Sequence, residues 1–150
     1  INRGHYFACY QTAVKAARRR GIKVCTHLIV GLPDETRETN LSTLEQVIDC
    51  GVDGLKLHPL HIVDGSIMAK AWQAGRLAEL SLDDYIHTAG ELIRHTPVDV
   101  IYHRVSATAK RPVLLAPLWC ENHWTAMNEI DRNLVCFGAQ GAALGQIFIP

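Results

Sequence analysis

The sequence has 150 residues, of which 48% are hydrophobic and 20% are charged, as is typical of one globular domain with a sizeable core. Lys plus Arg number 15 and Asp plus Glu number 15, which excludes a net charge that would draw the whole chain to nucleic acid or anionic lipid. No uninterrupted apolar run has the length of about 18 residues that a membrane span needs, and no secretory signal follows Ile1, so we expect no membrane partner. Because the chain does not begin with Met, we expect it to be a fragment of a longer protein.

The cysteines favour a reducing, cytoplasmic location. An odd number in a chain without a secretory signal is typical of free thiols and not of a disulfide framework. No two of them lie within four residues of each other, so the sequence predicts no local zinc or iron–sulfur ligand set. They are Cys9, Cys25, Cys50, Cys120 and Cys136.

The first part of the chain predicts a helix, a strand, a helix and a second strand. Apolar residues at helical spacing indicate a helix from Phe7 to Arg20, which Gly21 ends. The run from Ile22 to Val30 is almost continuously apolar, as expected for a parallel strand covered on both faces. A helix with apolar positions over 41–48 follows, and residues 53–60 predict the second strand. Two parallel strands joined by one helix form a βαβ unit, whose crossover should be right-handed.

The second part predicts a further strand and three helices. Residues 61–66 are expected to form a loop before a weak helix that ends at Gly75. An amphipathic helix begins behind a capping box at Ser81, stops at Pro97 and leads to a third strand over 98–105. A polar connection over 106–112 precedes the last helix, over 124–134, and no element is predicted for 139–150. Three parallel strands are few for a free sheet, so we expect an α/β chain that is part of a larger barrel; a small three-stranded sandwich is the alternative.

The turn after the first strand has the features of a ligand-binding turn. In parallel α/β proteins, ligands bind at the carboxyl ends of the strands. Gly31 permits either a close backbone approach to a ligand or a positive φ, and Pro33 stiffens the turn. Asp34 and Glu35 are expected to cap the following helix and to complement its dipole.

Histidines are frequent at the predicted strand ends, at His58, His61 and His103, and His27 lies within the first predicted strand. Imidazoles bind zinc and iron, so one alternative function is a metal-dependent, TIM-like hydrolase. The competing interpretation is that these histidines are ordinary polar residues with hydrogen bonds, and it is favoured because HPLH is not a recognised ligand spacing. The arginines at 18–20 are typical of a solvated helix end, and their alternative is contact with RNA phosphates in a non-catalytic RNA-binding module.

Four stretches in these positions carry a family resemblance: INRGH at 1–5, AVKAARRRGIKVCTHLIVGLPDET at 13–36, GVDGLKLHPLHIVDGS at 51–66 and HRVSATAKRPVLLAPLW at 103–119. Together they resemble the later half of a radical S-adenosylmethionine (SAM) catalytic domain of the YhcC-type family. The resemblance covers residues 1–138. A more distant likeness extends to oxygen-independent coproporphyrinogen oxidases and to Elp-type tRNA-modifying enzymes.

The resemblance implies the C-terminal part of an open, partial (β/α)6 TIM-like barrel. Residues 1–105 would form the C-terminal half of the radical SAM core, and residues 106–150 a family-specific helical tail. The cysteines that hold the 4Fe–4S cluster would lie upstream of Ile1, so this chain alone would be inactive. The full-length enzyme would cleave SAM with one electron, from a donor such as flavodoxin or ferredoxin, to methionine and a 5′-deoxyadenosyl radical that abstracts hydrogen from an unknown substrate.

The resemblance also assigns cofactor-binding roles, although it predicts no catalytic residue and no metal ligand in this chain. Arg3 matches an arginine that pairs with the SAM carboxylate, and His27 occupies the position of a ribose-hydroxyl ligand. Residues 29–33 match a region that packs on adenine, and residues 57–61 match the sixth strand, where backbone groups contact adenine. The predicted SAM-binding residues are Arg3, His27, Ile29, Gly31, Pro33, Leu60 and His61.

Overall fold

The computed structural model describes residues 4–146, apart from the side chain of residue 123. The helices in that range are α1 (Phe7–Arg18), α2 (Arg37–Asp49), α3 (Ile67–Gln73), α4 (Leu82–Arg94) and α5 (His123–Phe137). The strands are β1 (Cys25–Val30), β2 (Gly54–Pro59), β3 (Ile62–Val63), β4 (Ile101–Arg104) and β5 (Leu114–Ala116), and two 3₁₀ turns cover Leu118–Glu121 and Ala142–Leu144. None of the helices in the described range is long and apolar enough to cross a membrane.

The main sheet has three parallel strands in the order β1–β2–β4. The prediction of three parallel strands with flanking helices is therefore confirmed. Its central strand, β2, places Leu55 and Leu57 at 0% exposure, in a core that all the helices except α3 help to form. The helical contributors that are fully or almost fully buried include Val14, Leu44, Val47, Tyr85, Ala89, Leu92, Ile93, Ala126 and Ile130.

Within residues 4–146, helices cover strand β1 on one face only, so the prediction of burial on both faces is wrong. Thr26, Leu28 and Val30 point into the core, and the Thr26 hydroxyl is 2.6 Å from the Tyr10 hydroxyl, which satisfies it there. The intervening residues point away from the helices, and Ile29 is 44% exposed. The physical reason is the two-residue period of a strand: covering one face buries every second residue, whatever the overall hydrophobicity of the run.

Both long central helices begin at side-chain caps. The Thr36 hydroxyl accepts from the Thr39 N–H and the Thr39 hydroxyl accepts from the Thr36 N–H, which forms a capping box at the start of α2. At α4, the Ser81 hydroxyl accepts from the Asp84 N–H at 3.0 Å, as the sequence predicted. Each cap satisfies an amide that the first helical turn leaves without a partner.

The last third of the described chain packs against both parts of the fold. Strand β5 pairs antiparallel with β3, in a second, two-stranded sheet. The Trp119 indole donates to the Leu80 carbonyl at 3.0 Å, and its ring lies 5.2 Å from that of Tyr85. The expected loop over 61–66 therefore missed β3, and no strand was predicted at β5, because strands of two and three residues are too short to show a period. The division of the chain at residue 105 stays a prediction.

Candidate functional site

The sheet face that points away from the helices carries basic side chains. His27 on β1 pairs with Lys56 on β2, and Lys56 in turn pairs with Arg104 on β4. Because directly paired residues of neighbouring strands lie on the same face, these three side chains form one line across the sheet. We call His27, Lys56 and Arg104 the basic row. One step further toward the carboxyl ends, Ile29 pairs with His58 on the same face.

A β-bulge in β4 brings Arg104 into this row. Leu55 pairs with Tyr102, but the next pair is Lys56 with Arg104, so His103 is an extra residue in β4. Simple alternation would place Arg104 on the helix-facing side with Tyr102; the bulge reverses its direction, as bulges do elsewhere. Gly54 makes room for the bulge, since a Cβ at this position would lie 2.7 Å from the His103 ring.

The strands that carry the basic row contribute no negative charge to it. The three strands, CTHLIV, GLKLHP and IYHR, contain no acidic residue. Within residues 4–146, neither Lys56 nor Arg104 takes part in an ion pair; the acidic partners there belong to other cations. Partial burial, and then the charges of Lys56, His58 and Arg104, hold the pKa of His27 below its usual value. His27 is therefore a neutral imidazole near pH 7, which can both donate and accept a hydrogen bond.

At the carboxyl end of β1, Gly31 takes a φ of +93°, one of the two roles predicted for it. A Cβ at this position would lie 2.8 Å from Leu80, so the glycine also allows close packing. The Gly31 and Leu32 N–H groups each donate to the Glu35 carboxylate at 3.0 Å. Burial raises the pKa of Glu35, although these two hydrogen bonds act in the opposite direction.

The prediction that Asp34 and Glu35 cap the next helix is wrong. Glu35 closes the turn by binding the amides of residues 31 and 32, and Asp34 has a φ of +64° outside the helix. The cap belongs to Thr36, because the polar side chain directly before the first helical residue is the one that reaches its free amides.

At the carboxyl end of β2, two imidazoles meet. The rings of His58 and His61 lie 5.1 Å apart at 62°. Burial and the neighbouring His58 lower the pKa of His61, while a hydrogen bond with the Ala107 backbone acts in the opposite direction. Nε2 of His61 and Oγ of Ser106 are buried, and neither has a hydrogen-bond partner within the described residues. Two polar atoms near this end of the sheet are therefore buried without a hydrogen-bond partner among the described residues.

The structure gives no support to the two alternative functions. Within residues 4–146, no group of three or more His, Cys, Asp or Glu side chains is placed to hold a metal ion. His103 lies beside Gly54 at the start of β2, about 13 Å along that strand from His58 by ordinary strand rise. Arg18 contacts the Gly51 carbonyl and lies 3.6 Å from Asp53. One of the three arginines at 18–20 therefore links the end of α1 to the residues just before β2.

The predicted cofactor residues converge only in part. Arg3 lies outside the described residues. His27 and Ile29 share the open face of the sheet, whereas Gly31 and Pro33 belong to the turn above it. Leu60 is 8% exposed and donates its N–H to the Val30 carbonyl at 2.9 Å, which places it and His61 at the end of the neighbouring strand.

Sequence reasoning missed Lys56 and Arg104. The alternation of Lys56 with the apolar Leu55 and Leu57 is a signal that could have placed Lys56 on an open face. Arg104 has no comparable signal, because its direction depends on a bulge that only the pairing with β2 defines.

The fold of this chain is similar to that of a solved archaeal protein. The structure of an archaeal Elp3 from Methanocaldococcus infernus, with an N-terminal deletion, matches with a TM-score of 0.80 over 93% of this chain and 33% of that chain. The two sequences are 18% identical, so this likeness shows the fold alone. The prediction of an α/β chain from the C-terminal part of a partial barrel is confirmed.

Sequence comparisons then define the family. Residues 52–135, more than half of the chain, match the Radical_SAM C-terminal domain. Over 150 residues the chain is 66% identical to Protein YhcC of Escherichia coli (strain K12), covering 100% of this chain and 48% of that protein. Over 134 residues it is 37% identical to the uncharacterized protein YtqA of Bacillus subtilis (strain 168), covering 89% of this chain and 42% of that protein.

The chain therefore belongs to the radical SAM C-terminal domain family, and the predicted YhcC-type resemblance is confirmed. It spans about half the length of the curated relatives it matches.

Proposed function

We propose that the full-length protein is a radical SAM enzyme and that this chain supplies one wall of its SAM site. The observation that carries the proposal is the position of His27: an exposed imidazole on the open face of β1, two residues from the apolar surface of Ile29. An imidazole of this kind can hydrogen-bond a ribose hydroxyl. Family membership supports the same cofactor.

The residues of this wall offer adenosine an apolar packing surface and few free backbone N–H groups. Ile29 offers an apolar surface on which a purine could pack. The N–H groups of Gly31, Leu32 and Leu60 are already used by Glu35 and Val30, so a backbone contact with adenine would use a carbonyl instead. His61 lies beyond the row, next to His58, and we place both on the substrate side of the wall.

The described residues do not fit an iron–sulfur cluster. All five cysteines are free and none belongs to a metal-binding group within the described part of the chain. We therefore propose that the cluster ligands lie upstream and that an external donor such as flavodoxin or ferredoxin supplies the electron. When bound, the cluster and SAM would supply a 5′-deoxyadenosyl radical for hydrogen abstraction from substrate; this chain would orient the adenosine and exclude water. The free thiols support a cytoplasmic location.

The test is the SAM affinity of the full-length protein. Arg3→Ala should weaken binding by about ten- to a hundredfold, because it removes a charge-assisted contact to the carboxylate. His27→Ala should weaken it by about three- to tenfold, the effect of losing one neutral hydrogen bond. Equilibrium binding of SAM by titration calorimetry gives both values.

A matched control is His95→Ala, because His95 follows the last turn of α4 on the helix side of the sheet, where it lines a cavity that contains none of the proposed site residues, and should leave SAM affinity unchanged. Unchanged affinity in both Arg3→Ala and His27→Ala would contradict the assignment of this wall to SAM.

A further inference from the structure

The basic row extends well beyond the part of the site that a ribose would occupy. Neighbouring strands are about 4.8 Å apart, so Lys56 lies about 5 Å and Arg104 about 10 Å across the sheet from His27. A hydroxyl held at His27 would therefore leave Lys56 and Arg104 facing a second group, beside the cofactor. These two positions need an explanation that SAM binding through His27 does not provide.

The positions of Lys56 and Arg104 in the basic row bring two positive charges close together, which is unfavourable for the stability of the sheet. Cations on directly paired strand residues repel each other, and within residues 4–146 no carboxylate forms an ion pair with Lys56 or Arg104. A simple β4 without the bulge would turn Arg104 away from Lys56, toward the helices. The bulge and Gly54 thus place two cations next to each other on an open face, where a bound anion would offset the repulsion.

We propose that Lys56 and Arg104 bind an oxyanion of the substrate, a phosphate or a carboxylate. The inference rests on the proposed function, because it takes SAM to occupy the His27 end of the row. The Arg104 guanidinium presents paired N–H donors that match two oxygens of either anion, and the Lys56 ammonium adds a point charge. The substrate class is therefore an anionic molecule, held with its charged group at the β4 side of the sheet.

The experiment uses the full-length protein with its cluster reconstituted and SAM bound, titrated with inorganic phosphate and, separately, with acetate. Lys56→Gln and Arg104→Gln should each weaken binding of the favoured probe by about tenfold, and the double variant should abolish measurable binding. Tighter binding of phosphate identifies a phosphoryl group, and tighter binding of acetate a carboxylate. The thermal unfolding midpoint of each variant shows that it is folded.

The control is the double variant Lys70→Gln/Arg76→Gln. This variant also removes one lysine and one arginine charge, but from α3 and the turn that follows α3, outside the main sheet. It should bind the probe like the wild type.

The inference is overturned if the wild type binds neither phosphate nor acetate. It is equally overturned if the Lys56→Gln and Arg104→Gln variants bind the favoured probe as well as the wild type does. It is also overturned if the row variants lose SAM affinity and keep probe binding, since the row would then hold the cofactor. Formation of 5′-deoxyadenosine, measured in the same wild-type sample, separates the two proposals. If 5′-deoxyadenosine forms but probe binding does not depend on Lys56 and Arg104, only this inference fails. If no 5′-deoxyadenosine forms but Lys56 and Arg104 bind the probe, the anion site stands and the proposed function fails.

Discussion

Leu57→Ala is expected to destabilise the protein by about 3–4 kcal/mol, the largest effect of any substitution considered for this fold. Leu57 is 0% exposed, on the central strand of the main sheet, and belongs to the core shared by α1, α2, α4 and α5. Removing its side chain forfeits the transfer free energy of the buried atoms and leaves a cavity that the neighbouring strands cannot fill by moving. Urea unfolding of the full-length protein measures the loss.

The control for Leu57→Ala is Ile67→Ala, since Ile67 is 86% exposed at the start of α3. Its effect should stay within about 0.5 kcal/mol. A loss below about 1 kcal/mol for Leu57→Ala would contradict the position of β2 at the centre of a packed core.

Gly54→Ala is expected to cost about 1–3 kcal/mol through overpacking and to disturb the basic row. The new Cβ would lie 2.7 Å from Cδ2 of His103 and 2.9 Å from the Ile101 carbonyl oxygen. The histidine ring can rotate away, but the carbonyl belongs to the backbone of β4, so the strand itself must shift. A shifted β4 would move Arg104 relative to Lys56. The measurements are urea unfolding and phosphate binding by the full-length protein.

A second substitution separates the two contacts at Gly54. His103→Ala in the Gly54→Ala background removes the ring and should recover part of the lost stability, while the contact with the Ile101 carbonyl remains. Additive losses in the two single variants and the double variant would show that Gly54 and His103 are not coupled, against the bulge geometry described for β4.

Much of the fold could be predicted from local sequence, because its long elements each satisfy several rules at once. Strand β1 is an apolar run that ends in a glycine turn, and α4 combines a side-chain cap at Ser81 with an apolar stripe. Strands β3 and β5 escaped prediction because they are short and each is defined by the other. Which face of β1 is covered also depends on distant helices, not on the composition of the strand.

Some residues of the candidate site could likewise be predicted from local sequence, and others could not. Gly31 could be found from its position directly after an apolar strand, where ligands bind in α/β folds, and His27 from the family resemblance. The hydrogen bond from the Gly31 amide to the Glu35 carboxylate could not be predicted. The sequence alone does not say whether an acidic side chain binds amides of the preceding turn or those of the following helix. Arg104 was missed for a further reason: the bulge that directs its side chain is a property of strand pairing.

Reductive cleavage of SAM by the full-length protein tests the central claim most directly. The protein is reconstituted with iron and sulfide without oxygen, given SAM and a chemical reductant, and assayed for 5′-deoxyadenosine. We expect 5′-deoxyadenosine from the wild type, and a lower rate from His27→Ala at SAM concentrations below saturation. A wild-type protein that carries its cluster and binds SAM but forms no 5′-deoxyadenosine would contradict the account.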